Sequence, residues 1–203
     1  MHRLFERRLA VDTADKIEFD DLGYTDGRNI YYEPAEWRTL QRVLPRRSVS
    51  RDDVFIDLGS GKARMVIRAA QYPFKRVIGV ELSDGLHEVA QRNVEASRGR
   101  LACKDIRLVQ ANALDYELPD EVTVVFLNNP FLGEVFDAAI ESILRSMDRR
   151  LRALRIIYRN PVEHERLMAT GRVRLDKEWQ RGASSGRRRG VVIRRYLVLP
   201  APR

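Results

Sequence analysis

Asp57 and Glu81 are the side chains best placed by type and spacing to do chemistry. Each closes an apolar run: Val54-Phe55-Ile56 leads into Asp57, and Val77-Ile78-Gly79-Val80 leads into Glu81. Between them Leu58-Gly59-Ser60-Gly61-Lys62-Ala63-Arg64 turns the chain from a strand into a helix, with Ala63, Val66, Ile67 and Ala70 recurring at helical spacing. Gly59 and Gly61 permit positive φ and close backbone approach, so the turn admits a nucleotide-like ligand at the start of a helix. An acid on the second strand, about 20 residues beyond such a loop, is positioned for the hydroxyls of a ribose. Asp57, at the mouth of the loop, repels the pyrophosphate that backbone donors there would otherwise hold. The pair therefore predicts a cationic nucleoside, and S-adenosylmethionine, with a sulfonium and an α-ammonium beside its adenosine, has that chemistry. Asp57, Gly59, Ser60 and Gly61 are expected around its methionine end, and Glu81 and Leu82 around its ribose.

Two further polar segments follow apolar runs. After the third run comes Gln110-Ala111-Asn112-Ala113-Leu114-Asp115, with Asp115 a turn former; the segment resembles the one that follows the third strand in class I S-adenosylmethionine-dependent methyltransferases, which implies Asn112 at the adenine amino group and Ala113 against the ring. After Val124-Val125-Phe126-Leu127 comes Asn128-Asn129-Pro130-Phe131. Methyl transfer to nitrogen is an in-line displacement, which needs an uncharged amine held about 3 Å from the methyl carbon. Amide and backbone oxygens accept the amine's hydrogens without competing as strong bases. Asn128, Asn129 and Pro130 are therefore the expected lining of the acceptor channel. Asn-Pro is also a common turn former, and Phe131 is suited to capping a core.

These segments sit on an alternation of strands near 53–57, 76–81, 105–110, 122–127 and 154–158 with helices between them. Leu86, Val89, Ala90 and Val94 form one apolar helical stripe, and Val135, Ala139, Ile143 and Met147 another. Alternation of this kind predicts an α/β fold, a Rossmann-like doubly wound, mostly parallel sheet. A short helix around 163–168 follows, then strand-like runs at 173–179 and 191–199 separated by a basic loop, which predicts a terminal antiparallel hairpin. Residues 1–50 read as a helical lead-in or lid, with a helix from Pro34 through Val43, and 51–203 as the main domain.

At 203 residues and 44% hydrophobic, the sequence has enough apolar material for a core without disulfides. Its one cysteine, Cys103, has no internal partner and predicts a reducing compartment; with no apolar run of spanning length, the expectation is a cytoplasmic protein that meets no membrane. The three histidines, His2, His87 and His164, are scattered, and no metal site is expected. Net charge is +8, unevenly spread: residues 1–144 hold 20 basic and 24 acidic side chains, whereas 145–203 hold 17 and 5. Arginine outnumbers lysine 32 to 5, so the excess reads either as compositional bias on a solvated face or as a footprint for an acidic partner, centred on Arg187, Arg188 and Arg189.

Asp57-Leu58-Gly59-Ser60-Gly61 with Glu81 resembles the class I S-adenosylmethionine-dependent methyltransferases, and the terminal hairpin is how that fold ends. Tyr31-Tyr32-Glu33, the Asp52 to Gly61 run, Glu81 and Phe126-Leu127-Asn128-Asn129 are, in order and spacing, similar to the core of the histone-lysine methyltransferases that lack a SET domain. That resemblance implies a Tyr-x-Glu segment, here Tyr31 and Glu33 with Tyr32, covering the cofactor, and Asn128 beside the transfer channel. It implies an N-methyltransferase with a protein lysine as acceptor. Asn128-Asn129-Pro130-Phe131 is also similar to the Asn-Pro-Pro-Phe or Tyr segment of amino-methylating enzymes, with Asn129 in place of the first proline. The alternatives are an RNA or DNA methyltransferase, or a nucleic-acid-binding module that uses the basic loop without catalysis. An oxidoreductase is disfavoured, since a nicotinamide dinucleotide would have to overcome Asp57.

Overall fold

The computed structural model describes residues 2–14, 34–129, 131–181 and 190–202. The predicted alternation is present with boundaries moved by a residue or two: β1 Val54–Leu58, α3 Arg64–Ala70, β2 Arg76–Glu81, α4 Asp84–Ser97, β3 Ile106–Gln110, β4 Val124–Leu127, α5 Gly133–Arg149, β5 Arg155–Arg159, α6 His164–Ala169, β6 Val173–Arg181 and β7 Val191–Val198. Two helices precede them, α1 His2–Leu9 and α2 Thr39–Val43. The described strands form one seven-stranded sheet in the order β3-β2-β1-β4-β5-β7-β6. The first five are parallel, and β7 runs antiparallel to both β5 and β6. The hairpin bulges between Leu175 and Lys177.

β1 and β4 are buried along their whole length because helices cover both faces, and such strands read as continuous apolar runs. Period-two alternation divides the core. Phe55, Phe126 and Ile157 face α1 to α4 with Trp37, Leu40, Val66 and Ile67, while Ile56, Val125, Ile156 and Tyr158 face α5 and α6 with Phe136, Ile143 and Leu167. The α5 stripe of Val135, Ala139, Ile143 and Met147 is buried as its spacing required. On α4, Leu86, Ala90 and Val94 are buried and Val89 is half-buried.

The helix expected from Pro34 begins only at Thr39. Residues 34–36 have no regular structure and 37–38 form a turn, and the buried Arg64 donates to the Ala35 carbonyl at 3.0 Å. The same guanidinium donates to Thr13 Oγ1 at 2.8 Å, to the Thr13 carbonyl at 2.7 Å and to Glu6 Oε1 at 3.1 Å, and it lies over the Trp37 ring. One side chain at the start of α3 thus ties α1 and the segments on either side of residues 15–33 to the loop that precedes it.

Gly79, in register with Asp57 on β1, allows that loop to lie close to β2. A Cβ there would stand 2.7 Å from Val66 Cγ2, 3.0 Å from Ser60 Oγ and 3.1 Å from Leu108 Cδ2. Gly79→Ala is expected to destabilise the fold by about 1–3 kcal/mol, the usual cost of overpacking a core, and to weaken cofactor binding by displacing Ser60. Chemical denaturation and a cofactor titration of the variant check both effects.

Candidate active site

The strand order reverses between β2-β1 and β4-β5, so a crevice opens at the carboxyl ends of β1 and β4, where open α/β sheets take their ligands. Asp57, Glu81 and Asn128 all arrive there at or just past strand ends. Gly59 and Gly61 adopt positive φ, 77° and 52°, as the tight turn demands, and Ala63 follows at 66°. The Gly59 and Ser60 amides both donate to the Val80 carbonyl at 2.9 Å, which fixes the loop across β2.

Glu81 is the organising acid. Its Oε2 accepts the Gly61 amide at 2.7 Å and its Oε1 accepts the Ser83 amide at 2.9 Å, so it clamps the glycine loop to the start of α4. A carboxylate offers about four acceptor sites, so with three amides bound at least one remains for a ribose hydroxyl. Burial pushes its carboxyl up, and the Ser83, Gly61 and Leu82 amides pull it back. Asp57, buried beside it, is pushed well above the usual carboxylate range by burial first and by the Glu81 charge second.

Ser60 Oγ is buried with no hydrogen-bond partner among the described residues. Two buried acids with no cation paired to them, and a buried hydroxyl with no partner, among the described residues fit a ligand that carries positive charge and polar hydrogens, as S-adenosylmethionine does.

A linked proton follows. A cation favours the ionised carboxylates, so cofactor binding is expected to release protons, with affinity rising as pH climbs from the ordinary carboxylate range through the raised values. The apoprotein shows the opposite trend. Acids whose folded values are raised contribute stability below the ordinary carboxylate range, and that contribution is lost as pH rises through the raised values. Calorimetry of S-adenosylmethionine binding in buffers of different ionisation heat measures the release. Asp57→Asn is expected to remove most of it.

At the end of β4 the two asparagines are held from β5. Arg159, buried, donates from Nη1 to Asn128 Oδ1 at 2.8 Å, and the Tyr158 hydroxyl donates to Asn129 Oδ1 at 3.2 Å. Burial pushes Tyr158 up to about 12, so it remains a donor at any working pH. Asn129 takes a left-handed φ of 52°, a conformation asparagine tolerates better than most residues. Sequence reasoning did not identify Tyr158 or Arg159. The available signal was an arginine closing an otherwise apolar strand, Arg155-Ile156-Ile157-Tyr158-Arg159.

Asn112 and Ala113 do follow β3, but the Asn112 Oδ1 accepts the Leu114 amide at 3.0 Å and its carbonyl accepts the Asp115 amide at 3.1 Å. Its side chain thus caps a local turn, leaving the amide NH2 as the group able to reach an adenine; Ala113 is buried beside it. Tyr31, Tyr32, Glu33 and Pro130 lie outside the described residues, as do Arg187, Arg188 and Arg189. Cys103 is buried, and burial raises its thiol, which makes it a poor nucleophile.

Comparison with known proteins identifies the family of this chain. The family model described as "Histone methylation protein DOT1" matches residues 20–172, a span that includes Asp57, Glu81, Asn112, Asn128 and the whole parallel sheet. The chain belongs to the DOT1 family. It is accordingly a class I methyltransferase whose cofactor is S-adenosylmethionine. Over 116 residues this DOT1-family chain is 31% identical to a Drosophila melanogaster histone-lysine N-methyltransferase specific for lysine 79 of H3; the match covers 52% of the chain and 6% of that protein's length. A protein-lysine N-methyltransferase of Saccharolobus islandicus is 27% identical over 120 residues, covering 58% of the chain and 71% of the relative. Among solved structures, an RNA methyltransferase of Salinibacter ruber in complex with S-adenosyl-L-homocysteine superposes with a TM-score of 0.58 at 19% identity, over 84% of this chain and 97% of that one. At that identity the likeness shows the shared fold. No helix among the described residues is long and apolar enough to cross a membrane.

Proposed function

We propose that this DOT1-family chain transfers a methyl group from S-adenosylmethionine to the side-chain nitrogen of a protein lysine. The observation that carries the proposal is Asn128 at the carboxyl end of β4, one strand from Asp57 and held by a buried arginine. S-adenosylmethionine supplies a methyl group already activated on a sulfonium, so the protein's task is positioning and exclusion of water. Asp57, Gly59, Ser60 and Gly61 hold the methionine end, Glu81 and Leu82 the ribose, and Asn112 and Ala113 the adenine. Asn128, its amide oxygen fixed by Arg159, aligns the acceptor nitrogen, and Asn129 and Pro130 line the same channel. Tyr31, Tyr32 and Glu33 cover the cofactor.

In this reading a lysine chain approaches from the α2 side of the sheet. A cleft of about 490 Å3 is lined by Glu36, Thr39, Arg42, Trp179 and Ile193. Ile193 is registered opposite Arg159, the residue that holds Asn128, so the cleft abuts the end of β5. Trp179 and Ile193 give it an apolar wall for an aliphatic chain, while Glu36 is paired with Arg42 at 3.0 Å. The protein-lysine activity named for two relatives supports the same acceptor.

The test is product analysis. The enzyme is incubated with methyl-labelled S-adenosylmethionine and, separately, with total protein and total RNA, and the labelled polymer is hydrolysed. Label recovered as methyl-lysine is expected. Label recovered only as a methylated base would replace the lysine reading with the RNA one.

A further inference from the structure

A second charged feature lies at the other end of the sheet. A cleft of about 890 Å3 is lined by Arg8, Arg46, Arg47, Arg68 and Arg100, with Phe5 and Tyr72 at its wall and no acidic residue in its lining. It is formed by α1, the 3-10 turns Arg46–Ser48 and Arg98–Arg100, and the end of α3. The cofactor loop precedes the start of α3, whereas Gln71 and Tyr72 follow its end, about 10 Å further along the helix axis. The cleft is thus separate from the crevice at the strands' carboxyl ends.

The five arginines differ from most others in how their charge is met. Arg76 pairs with Asp105 and Glu121, Arg149 with Glu117 and Asp120, Arg172 with Asp148, Arg194 with Glu178 and Arg195 with Asp176. Among the described residues no acid pairs with Arg8, Arg46, Arg47, Arg68 or Arg100, and all five line one cleft. Arg68 is half-buried over the Tyr72 ring and donates to the neutral amide oxygens of Gln71 and Gln41, while its Nε is buried with no partner among the described residues. Burial, with the nearby charges of Arg38 and Arg46, holds its guanidinium below the ordinary value. A group in that state gains from any anion that enters.

We propose that this cleft binds the phosphodiester backbone of a nucleic acid, without regard to base sequence. A nucleic acid brings a negative charge at every residue, matched to several guanidinium forks at once. The walls are helices and 3-10 turns, which offer no strand edge to a peptide backbone. Tyr72 is buried and not available for stacking, so recognition is by charge and not by base. Binding here leaves the crevice open to its acceptor. The proposal does not depend on that acceptor being lysine.

The experiment measures anisotropy of short labelled DNA and RNA duplexes of one sequence against the full chain, from about 50 to 200 mM salt. Arg46, Arg47 and Arg100 are exposed, so the triple variant Arg46→Ala/Arg47→Ala/Arg100→Ala is expected to melt as the parent does. Its log–log salt slope should be shallower by roughly 2 to 3, about 0.9 for each lost phosphate contact, and its affinity at the lower salt should fall at least about tenfold. Arg187→Ala/Arg188→Ala/Arg189→Ala should keep most of the slope, and the duplex bound more tightly identifies the nucleic acid. Parent-like binding by the cleft variant would overturn the proposal, as would loss of binding in the loop variant alone. Displacement of both duplexes by poly-glutamate at equal charge would reassign the cleft to an acidic protein and would overturn it too.

Discussion

Replacing Asn128 by alanine is expected to lower turnover by about 100- to 1000-fold while changing S-adenosylmethionine affinity little, because the loss falls on acceptor alignment in the transition state. The amide oxygen at the end of β4 is fixed by the Arg159 guanidinium at 2.8 Å, so it approaches the acceptor without reorganising. Removing it also takes an acceptor from a buried arginine, at a cost to stability of about 1–3 kcal/mol. Asn128→Asp separates the two effects. The carboxylate keeps the Arg159 contact, and thermal stability should stay near that of the parent, while the added charge holds an acceptor amine in its protonated form and turnover remains low. Single-turnover rates at saturating cofactor, with a melting curve for each variant, provide the check. Equal losses in turnover and in cofactor affinity would remove Asn128 from the acceptor channel.

Glu81→Ala is expected to do the reverse. A charge-assisted hydrogen bond to a ribose, together with the clamp on the Gly61 and Ser83 amides, amounts to about 3 kcal/mol, so affinity should fall about a hundredfold. Turnover at saturating cofactor should be largely preserved, because Glu81 stays distant from the transferred group. Glu81→Gln retains an acceptor and a similar shape and should fall between parent and alanine variant. Equilibrium dialysis with labelled S-adenosylmethionine measures the affinities. Parent-like binding by Glu81→Ala would show that the ribose is held elsewhere.

The parts of this site that were legible in the sequence are those fixed by local periodicity. Buried parallel strands read as apolar runs, so Val54–Leu58, Arg76–Glu81 and Val124–Leu127 could be located, and with them the acids and amides that end them. Gly59 and Gly61 announced the turn because few other residues adopt its backbone. What stayed hidden acts through distant contacts. Arg64 reaches Thr13 and Ala35, in a segment that Pro34 and the spacing after it had predicted as helix. Arg159 and Tyr158 reach Asn128 and Asn129 across two strands, and no spacing rule links them. Asn112 shows the converse: the residue type suggested a ligand contact, yet its amide oxygen satisfies the turn immediately after it. The five arginines with no acidic partner among the described residues come from α1, α3 and two 3-10 turns, and only the folded chain brings them together.

The most direct test of the assigned site is a crystal structure of the chain with S-adenosyl-L-homocysteine. The ribose hydroxyls are expected on the Glu81 carboxylate, the homocysteine end against Gly59, Ser60 and Gly61 beside Asp57, and the sulfur facing Asn128. A nucleoside bound away from the carboxyl ends of β1 and β4, or a sulfur directed away from Asn128, would contradict the account.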